Sequence, residues 1–305
     1  MRASNAGPRA VFAASMLALA VYAAAAPVTG LTATRAQESF DWSGAMDDGA
    51  TLRVYAGAGE IVVREAQGRT ARVHAVTRNG SGRDMEYVSD RDGSGVRVCA
   101  LRSGDRCDDD GIRGRGGWRN NRAKSDFTIE VPRGVVLRLS SGNGRVTVDG
   151  ATADVRAASG NGDVRVGAGA ARVKASTGNG TVLVDGARGP VEASSGNGRV
   201  TISTARGPVE ASTGNGNIEV RMAQLAGDGD MEFSSGNGSI TLFLPDNFSA
   251  VVDASTGNGG VNTDFPIRVQ GRVSRHRLQG TIGDGGRRLS ASSGNGTISI
   301  RRIDG

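Results

Sequence analysis

The chain has 305 residues, enough for one or two domains, yet only 4% are aromatic and 48 are Gly, which excludes a conventional core of Phe and Leu. Gly at that level signals either disorder or one turn repeated many times, and Val and Ile alternating between the glycines decide for the repeat. The formal charge of +6 falls to +3 when Arg2, Arg9 and Arg35 are set aside; the remaining charges are interspersed, which argues against nucleic acid as a partner.

In chain order, Arg2 and Arg9 precede an apolar run from Val11 to Ala26 that Pro27 and Gly30 break. Thr34-Arg35-Ala36 then places small residues at −3 and −1, so residues 1–36 read as a secretory signal peptide cleaved after Ala36. An uncleaved anchor is the alternative, although 16 residues are short for a membrane span. No transmembrane span is expected after processing, and the protein is expected in the periplasm or on the cell surface.

Residues 37–139 read as irregular coils of the same repeat. Leu52-Arg53-Val54, Gly57-Ala58-Gly59 and Ile61-Val62-Val63 follow its grammar, with Phe40 and Trp42 capping the first coil and an insertion near 80–126. Cys99 and Cys107 fall in that insertion. In an oxidising compartment a close pair favours a disulfide, and two Cys alone cannot make a zinc site. Asp108-Asp109-Asp110-Gly111 lacks the spacing and terminal Glu of an EF-hand loop and reads as a solvated loop. After it, Gly111 to Lys124 sets Arg113, Arg115, Arg119, Arg122 and Lys124 around Trp118 with no acid among them. This is the candidate binding loop, suited to anionic glycan or lipid phosphate; a passive flexible insertion is the bland alternative.

Residues 140–305 carry the regular repeat. Gly-Asn-Gly begins at Gly142, Gly160, Gly178, Gly196 and Gly214, always 18 residues apart, and returns at Gly236, Gly257 and Gly294. A fixed period means a solenoid with one repeat per coil. The predicted fold is therefore all-β, a parallel β-solenoid with two strands in each coil of about 18 residues. Period-2 alternation buries a column of Leu137, Val155, Val173, Val191 and Val209 and a second of Ala157, Ala175, Ala193 and Ala211. Gly supplies positive φ at the turn and Asn tolerates the left-handed region. Stacked at about 4.8 Å, Asn143, Asn161, Asn179, Asn197, Asn215, Asn237, Asn258 and Asn295 are predicted to form an amide ladder. The hydrophilic stretch 262–288 reads as a C-terminal excursion before a final coil.

The chemistry is sparse. Calcium β-rolls also make 18-residue coils, but Val146, Val164, Val182 and Val200 stand where their ligating Asp would be, and calcium needs about six oxygens. His74 and His276 lack metal-spaced partners, and no nucleophile–base or paired-carboxylate arrangement assembles, so neither catalysis nor a cofactor is expected. The outward column Arg156, Lys174, Glu192, Glu210, Glu232, Asp253 reads as solvated surface.

Phe40-Asp41-Trp42-Ser43-Gly44, the Leu-x-Val and Gly-x-Ile-x-Val opening, the repeated Ser-Thr-Gly-Asn-Gly, Asp264-Phe265-Pro266 and Gly283-Asp284-Gly285-Gly286 together resemble a bacterial domain-of-unknown-function family known as putative adhesins. The resemblance spans roughly residues 40–303. It implies the solenoid fold and an adhesive role, and carries no catalytic residues. Two readings follow: an exported envelope binding or adhesion module for anionic polysaccharide or lipid, or an envelope structural or stress-sensing component that acts through protein partners.

Overall fold

The computed structural model describes residues 32–35, 38–80, 84–93, 95–114, 123–204, 206–269 and 274–303. Among them every named element is a β-strand. The chain opens with β1 (Thr32–Arg35), β2 (Ser39–Ala45), β3 (Thr51–Ala56), β4 (Ile61–Glu65) and β5 (Thr70–Arg78). Next come β6 (Met85–Asp92), β7 (Gly95–Arg102), β8 (Arg106–Asp108), β9 (Gly111–Arg113) and β10 (Lys124–Val131).

The regular coils supply β11 (Val136–Asn143), β12 (Val146–Val148), β13 (Val155–Asn161), β14 (Val164–Val166), β15 (Val173–Asn179) and β16 (Val182–Ala187). They continue as β17 (Val191–Asn197), β18 (Val200–Thr204), β19 (Val209–Asn215), β20 (Ile218–Met222), β21 (Met231–Asn237) and β22 (Ile240–Leu244). Last are β23 (Ala250–Asn258), β24 (Val261–Thr263), β25 (Ile267–Val269), β26 (Arg277–Ile282), β27 (Arg288–Asn295) and β28 (Ile298–Arg302).

Two sheets face each other. The first has 14 strands in the order β1-β6-β7-β3-β11-β13-β15-β17-β19-β21-β27-β23-β26-β25, and the second has 12 in the order β2-β5-β10-β4-β12-β14-β16-β18-β20-β22-β28-β24. Each regular coil gives one strand to each sheet. Neighbouring coils pair parallel and in register, so Val155 lies beside Val173 and Val173 beside Val191. The expected Val and Ala columns are buried. Pairing of β3 with β11 extends the Val column to Leu52, and Met231, Leu289 and Val252 continue it at the other end. Ala at inner positions of the first sheet lets the Val-lined second sheet lie close, so a chain with few aromatics still fills its core.

Two regions expected outside the stack belong to it. The stretch near 80–126, expected as an insertion, contributes β6, β7 and β10: β7 pairs parallel with β3, β6 pairs antiparallel with β7, and β10 joins the second sheet. Among the described residues the small two-stranded β8–β9 sheet alone stands apart from both large sheets. Similarly, 262–288 holds β25 and β26, which pair antiparallel along β23. In both regions the residues lack the Gly-Asn-Gly mark because an antiparallel cap needs no coil turn. At this N-terminal end Phe40 stacks on Tyr87 with ring centroids 5.4 Å apart, Tyr87 meets Phe127 edge-on at 6.3 Å, and Trp42 packs against the core.

The last coil in sequence is not the last in space. β27 lies between β21 and β23, and β28 lies between β22 and β24. The chain passes over one rung at β23, turns back through β25 and β26, and fills the gap with β27 and β28. This detour accounts for the 37-residue step between the last two Gly-Asn-Gly turns.

Candidate functional site

The turn edge is built from Ser/Thr-Gly-Asn-Gly at the end of each first-sheet strand. A Cβ at Gly178 would lie 2.5 Å from the carbonyl oxygen of Gly160, and one at Gly180, where φ is 153°, would lie 2.4 Å from that of Gly162. Successive turns therefore stack backbone on backbone, and only hydrogen fits between them. The turn asparagines are joined into a ladder by their side-chain amides. Asn161 Nδ2 donates to Asn143 Oδ1 at 2.8 Å, Asn179 to Asn161 at 2.7 Å, Asn197 to Asn179 at 2.8 Å and Asn215 to Asn197 at 2.8 Å. It then follows spatial order: Asn237 to Asn215, Asn295 to Asn237 and Asn258 to Asn295, each at 2.7 Å.

One expectation about these residues is corrected. Among the described residues Asn79 is the one non-glycine with positive φ, so the ladder asparagines are not left-handed. They end extended strands, and their value lies in the side-chain amide alone. The turn also holds a second ladder that sequence reasoning missed. The residue before each Gly-Asn-Gly is buried, and its hydroxyl donates to a glycine carbonyl of the neighbouring turn: Ser159 to Gly144, Thr177 to Gly162, Ser195 to Gly180 and Thr213 to Gly198, at 2.8 to 2.9 Å. The signal was present as an invariable Ser or Thr at an inward position of the strand alternation.

The second chemical feature is the β8–β9 hairpin. Its Cys107 is joined to Cys99 of β7 by a disulfide with Cα atoms 6.5 Å apart. Tyr55, Cys99 and Leu101 form a small apolar cluster on the outer side of β3 and β7, with Val88, Cys107 and Ile112 packed against it. Tyr55 Oη donates to the carbonyl oxygen of Asp109 at 2.8 Å, and burial raises the phenol above its ordinary range against the pull of nearby arginines. Arg97 reaches both Asp90, at 2.8 Å, and Asp109, at 2.7 Å.

Arg113, at the end of β9, donates to Asp108 and lies 3.3 Å from Asp110. Partial desolvation pushes the Asp108 carboxyl up, but the Asp110 amide and the Arg113 guanidinium outweigh it and hold the group low. Arg113 is thus already engaged by the acidic run beside it. Arg115, Trp118, Arg119 and Arg122 lie outside the described residues.

Elsewhere polar groups answer one another. His74 Nδ1 lies 2.7 Å from Asp41, and Arg72 donates to Glu130 at 2.9 Å on the outer side of β2, β5 and β10. Val146, Val164, Val182 and Val200 are fully buried, so their column faces the core. Among the described residues no three His, Cys, Asp or Glu side chains group to hold a metal ion, and no helix is long and apolar enough to cross a membrane.

The family profile of Toastrack DUF4097 matches residues 51–301, from β3 to β28. The chain belongs to the Toastrack DUF4097 family. In this Toastrack chain the match covers both sheets of the stack, while the Gly-Asn-Gly turn is a property established here for this chain alone. A comparison with curated proteins finds no match. Two solved structures are similar over long stretches. One is a putative cell adhesion protein from Clostridium sporogenes, 12% identical, covering 87% of this chain and 99% of its own, with a TM-score of 0.26. The other is a putative adhesin from Bacteroides fragilis, 11% identical, covering 87% of this chain and 97% of its own, with a TM-score of 0.41. Superpositions this loose transfer no site from either protein.

Proposed function

We propose that this Toastrack protein is an exported envelope binding module without catalytic activity, which recognises anionic glycan or lipid through the arginine-rich segment that follows β9. The observation that carries the reading is the anchorage of that segment's root. A disulfide, an apolar cluster and the Tyr55–Asp109 hydrogen bond hold a three-residue-stranded hairpin against the rigid stack. Such fastening is more than a passive surface excursion requires, and recognition residues tend to sit on loops that a rigid scaffold positions. Arg matches phosphate and carboxylate with paired donors, and Trp118 offers a face for a sugar or a guanidinium. Cleavage after Ala36 completes the proposal; it would remove β1, which pairs antiparallel with β6, and leave β6 as the edge of the first sheet.

The test is retention of the purified protein on isolated envelope at low salt. Arg113 is left intact because its ion pairs hold the hairpin. The triple variant Arg115→Ser, Arg119→Ser, Arg122→Ser and the single variant Trp118→Ala are each expected to keep the parent melting curve and to lose retention. Retention should also fall steeply with salt, because the Debye length shrinks from about 10 Å at 0.1 M to about 3 Å at 1 M. If both variants are retained like the parent, the segment is passive, and the reading as a structural or stress-sensing component acting through protein partners takes its place.

A further inference from the structure

The outer side of the first sheet carries one row of charges whose order only the strand pairing reveals. Arg97 lies beside Arg53, Arg53 beside Arg138, Arg138 beside Arg156 and Arg156 beside Lys174. The sign then reverses: Lys174 lies beside Glu192, Glu192 beside Glu210 and Glu210 beside Glu232, after which come Ser290 and Asp253. Five cations are followed by three carboxylates, a serine and a fourth carboxylate, on neighbouring strands about 4.8 Å apart.

This is a poor arrangement for a face that meets only solvent. Like charges directly opposite on adjacent strands destabilise a sheet, and alternating signs would remove the repulsion. In the row the signs meet favourably once, at the Lys174–Glu192 ion pair. Among the described residues Arg138, Arg156, Glu210 and Glu232 make no ion pair.

The row is, however, complementary to itself. A two-fold axis lying in the plane of the face, along the strands and midway between β15 and β17, reverses the order of the rungs. It sets Lys174 opposite Glu192 of the second copy, Arg156 opposite its Glu210 and Arg138 opposite its Glu232. We propose that this face is the interface of a two-fold homodimer, in which two stacks lie face to face with their long axes antiparallel.

The neighbouring rows permit it. Beside the charges runs a row of small side chains, Ser140, Ala158, Ser176, Ser194, Ser212 and Ser234, each in register with the next, so two sheets can approach to about the 10 Å of ordinary face-to-face packing. The hairpin β8–β9 occupies the outer side of β3 and β7, and among the described residues it does not extend over the six strands from β11 to β21. These offer about 29 Å by 23 Å, on the order of 1,300 Å² for both copies together, at the lower end of stable interfaces. Twisted sheets pack with their strands about 30° apart, so the three inner pairs carry the argument. A linear polyanion would suit the cationic half alone and be repelled by the acidic half. A second copy accounts for both halves and for the position of the reversal.

The experiment is sedimentation of the purified protein at increasing salt, with two reversed variants. Glu192→Lys, Glu210→Lys, Glu232→Lys makes the open row wholly cationic; Arg138→Glu, Arg156→Glu, Lys174→Glu makes it wholly acidic. The parent is expected to dimerise at low salt, with its Kd rising more than about tenfold from 0.1 M to 1 M NaCl as screening shortens. Each variant alone is expected to be monomeric with a native circular dichroism spectrum, and an equimolar mixture to form a 1:1 heterodimer. A parent that stays monomeric at low salt overturns the proposal, all the more if it binds polyphosphate there. So does a dimer that survives both reversals, or two well-folded monomeric variants that do not combine.

Discussion

At the scale of single residues, the turn shows why a hydroxyl-to-carbonyl ladder and an amide-to-amide ladder of similar geometry differ in weight. Ser195 is 5% exposed and its hydroxyl donates to the Gly180 carbonyl at 2.9 Å. Asn197, two residues on, is exposed, although its amide makes a bond of 2.8 Å. Water reaches the exposed Asn197 more readily than it reaches the bond from the buried Ser195 hydroxyl to half-buried Gly180. A buried acceptor left without its donor costs roughly 1–3 kcal/mol, whereas an ordinary hydrogen bond in contact with solvent is worth about 0.5–1.5 kcal/mol. Ser195→Ala is therefore expected to lower stability more than Asn197→Asp, even though the second places a carboxylate against the Asn179 carbonyl oxygen. The charge is not buried, so the larger penalty that an interior ladder would impose does not arise. Urea denaturation of the two variants checks the order, and a larger loss for Asn197→Asp would show that the amide ladder, not the hydroxyl ladder, clamps the turns.

At the scale of elements, the β8–β9 hairpin illustrates how a short piece is kept in place. With three residues in each strand it buries too little to persist alone, since an isolated two-stranded hairpin is marginal in water. The disulfide encloses nine residues, and closing a loop of that size is worth about 2–3 kcal/mol in the chain-entropy model. Replacing both Cys99 and Cys107 by Ser is expected to lower unfolding stability by about that amount and to expose 106–113 to protease before the sheets unfold. Equal stability of the oxidised protein and the double variant would show that Tyr55 and Leu101 suffice as the anchor. The pair was legible because two Cys stand close together in a chain whose first residues read as a secretory signal. The strands on either side were not: β7 pairs with β3 and β10 with β4 and β5 across long gaps, as β3 does with β11, and nothing local in their alternation names the partner strand.

At the scale of the whole molecule, the detour through β25 and β26 makes the C-terminal coil an internal one. Leu289, Ile298 and Ile300 are fully buried there, between coils that precede them in sequence. Burial of each such side chain is worth about 1.5–3 kcal/mol, which together is comparable with the roughly 5–15 kcal/mol that holds a whole domain folded. A chain ending at residue 287 should therefore lose cooperative thermal unfolding altogether, not fray at one end. Circular dichroism on that truncation is the check, and a sharp transition near the parent temperature would mean that β23 can close directly onto β21. The antiparallel strands at both ends serve the same whole, since a parallel stack left bare would present long edges for further pairing.

The sequence by itself determined the coil: its period, its inward Val and Ala columns, its amide ladder and the all-β class. Each of these is a local pattern read within about 18 residues and repeated, so no distant partner has to be known. Only the tertiary structure decided what lies at the ends, because antiparallel caps satisfy their hydrogen bonds without a recurring turn to mark them. It alone decided the position of the last coil, which depends on a gap left by an earlier one. The charge row is the clearest case. Arg156, Lys174, Glu192 and the carboxylates beyond them were visible as one residue per coil and looked like solvated surface. Arg53 and Arg97 join them only because β3 pairs with β11 and β7 with β3, and the sign reversal at the centre of the open face acquires a physical meaning only once those strands are side by side.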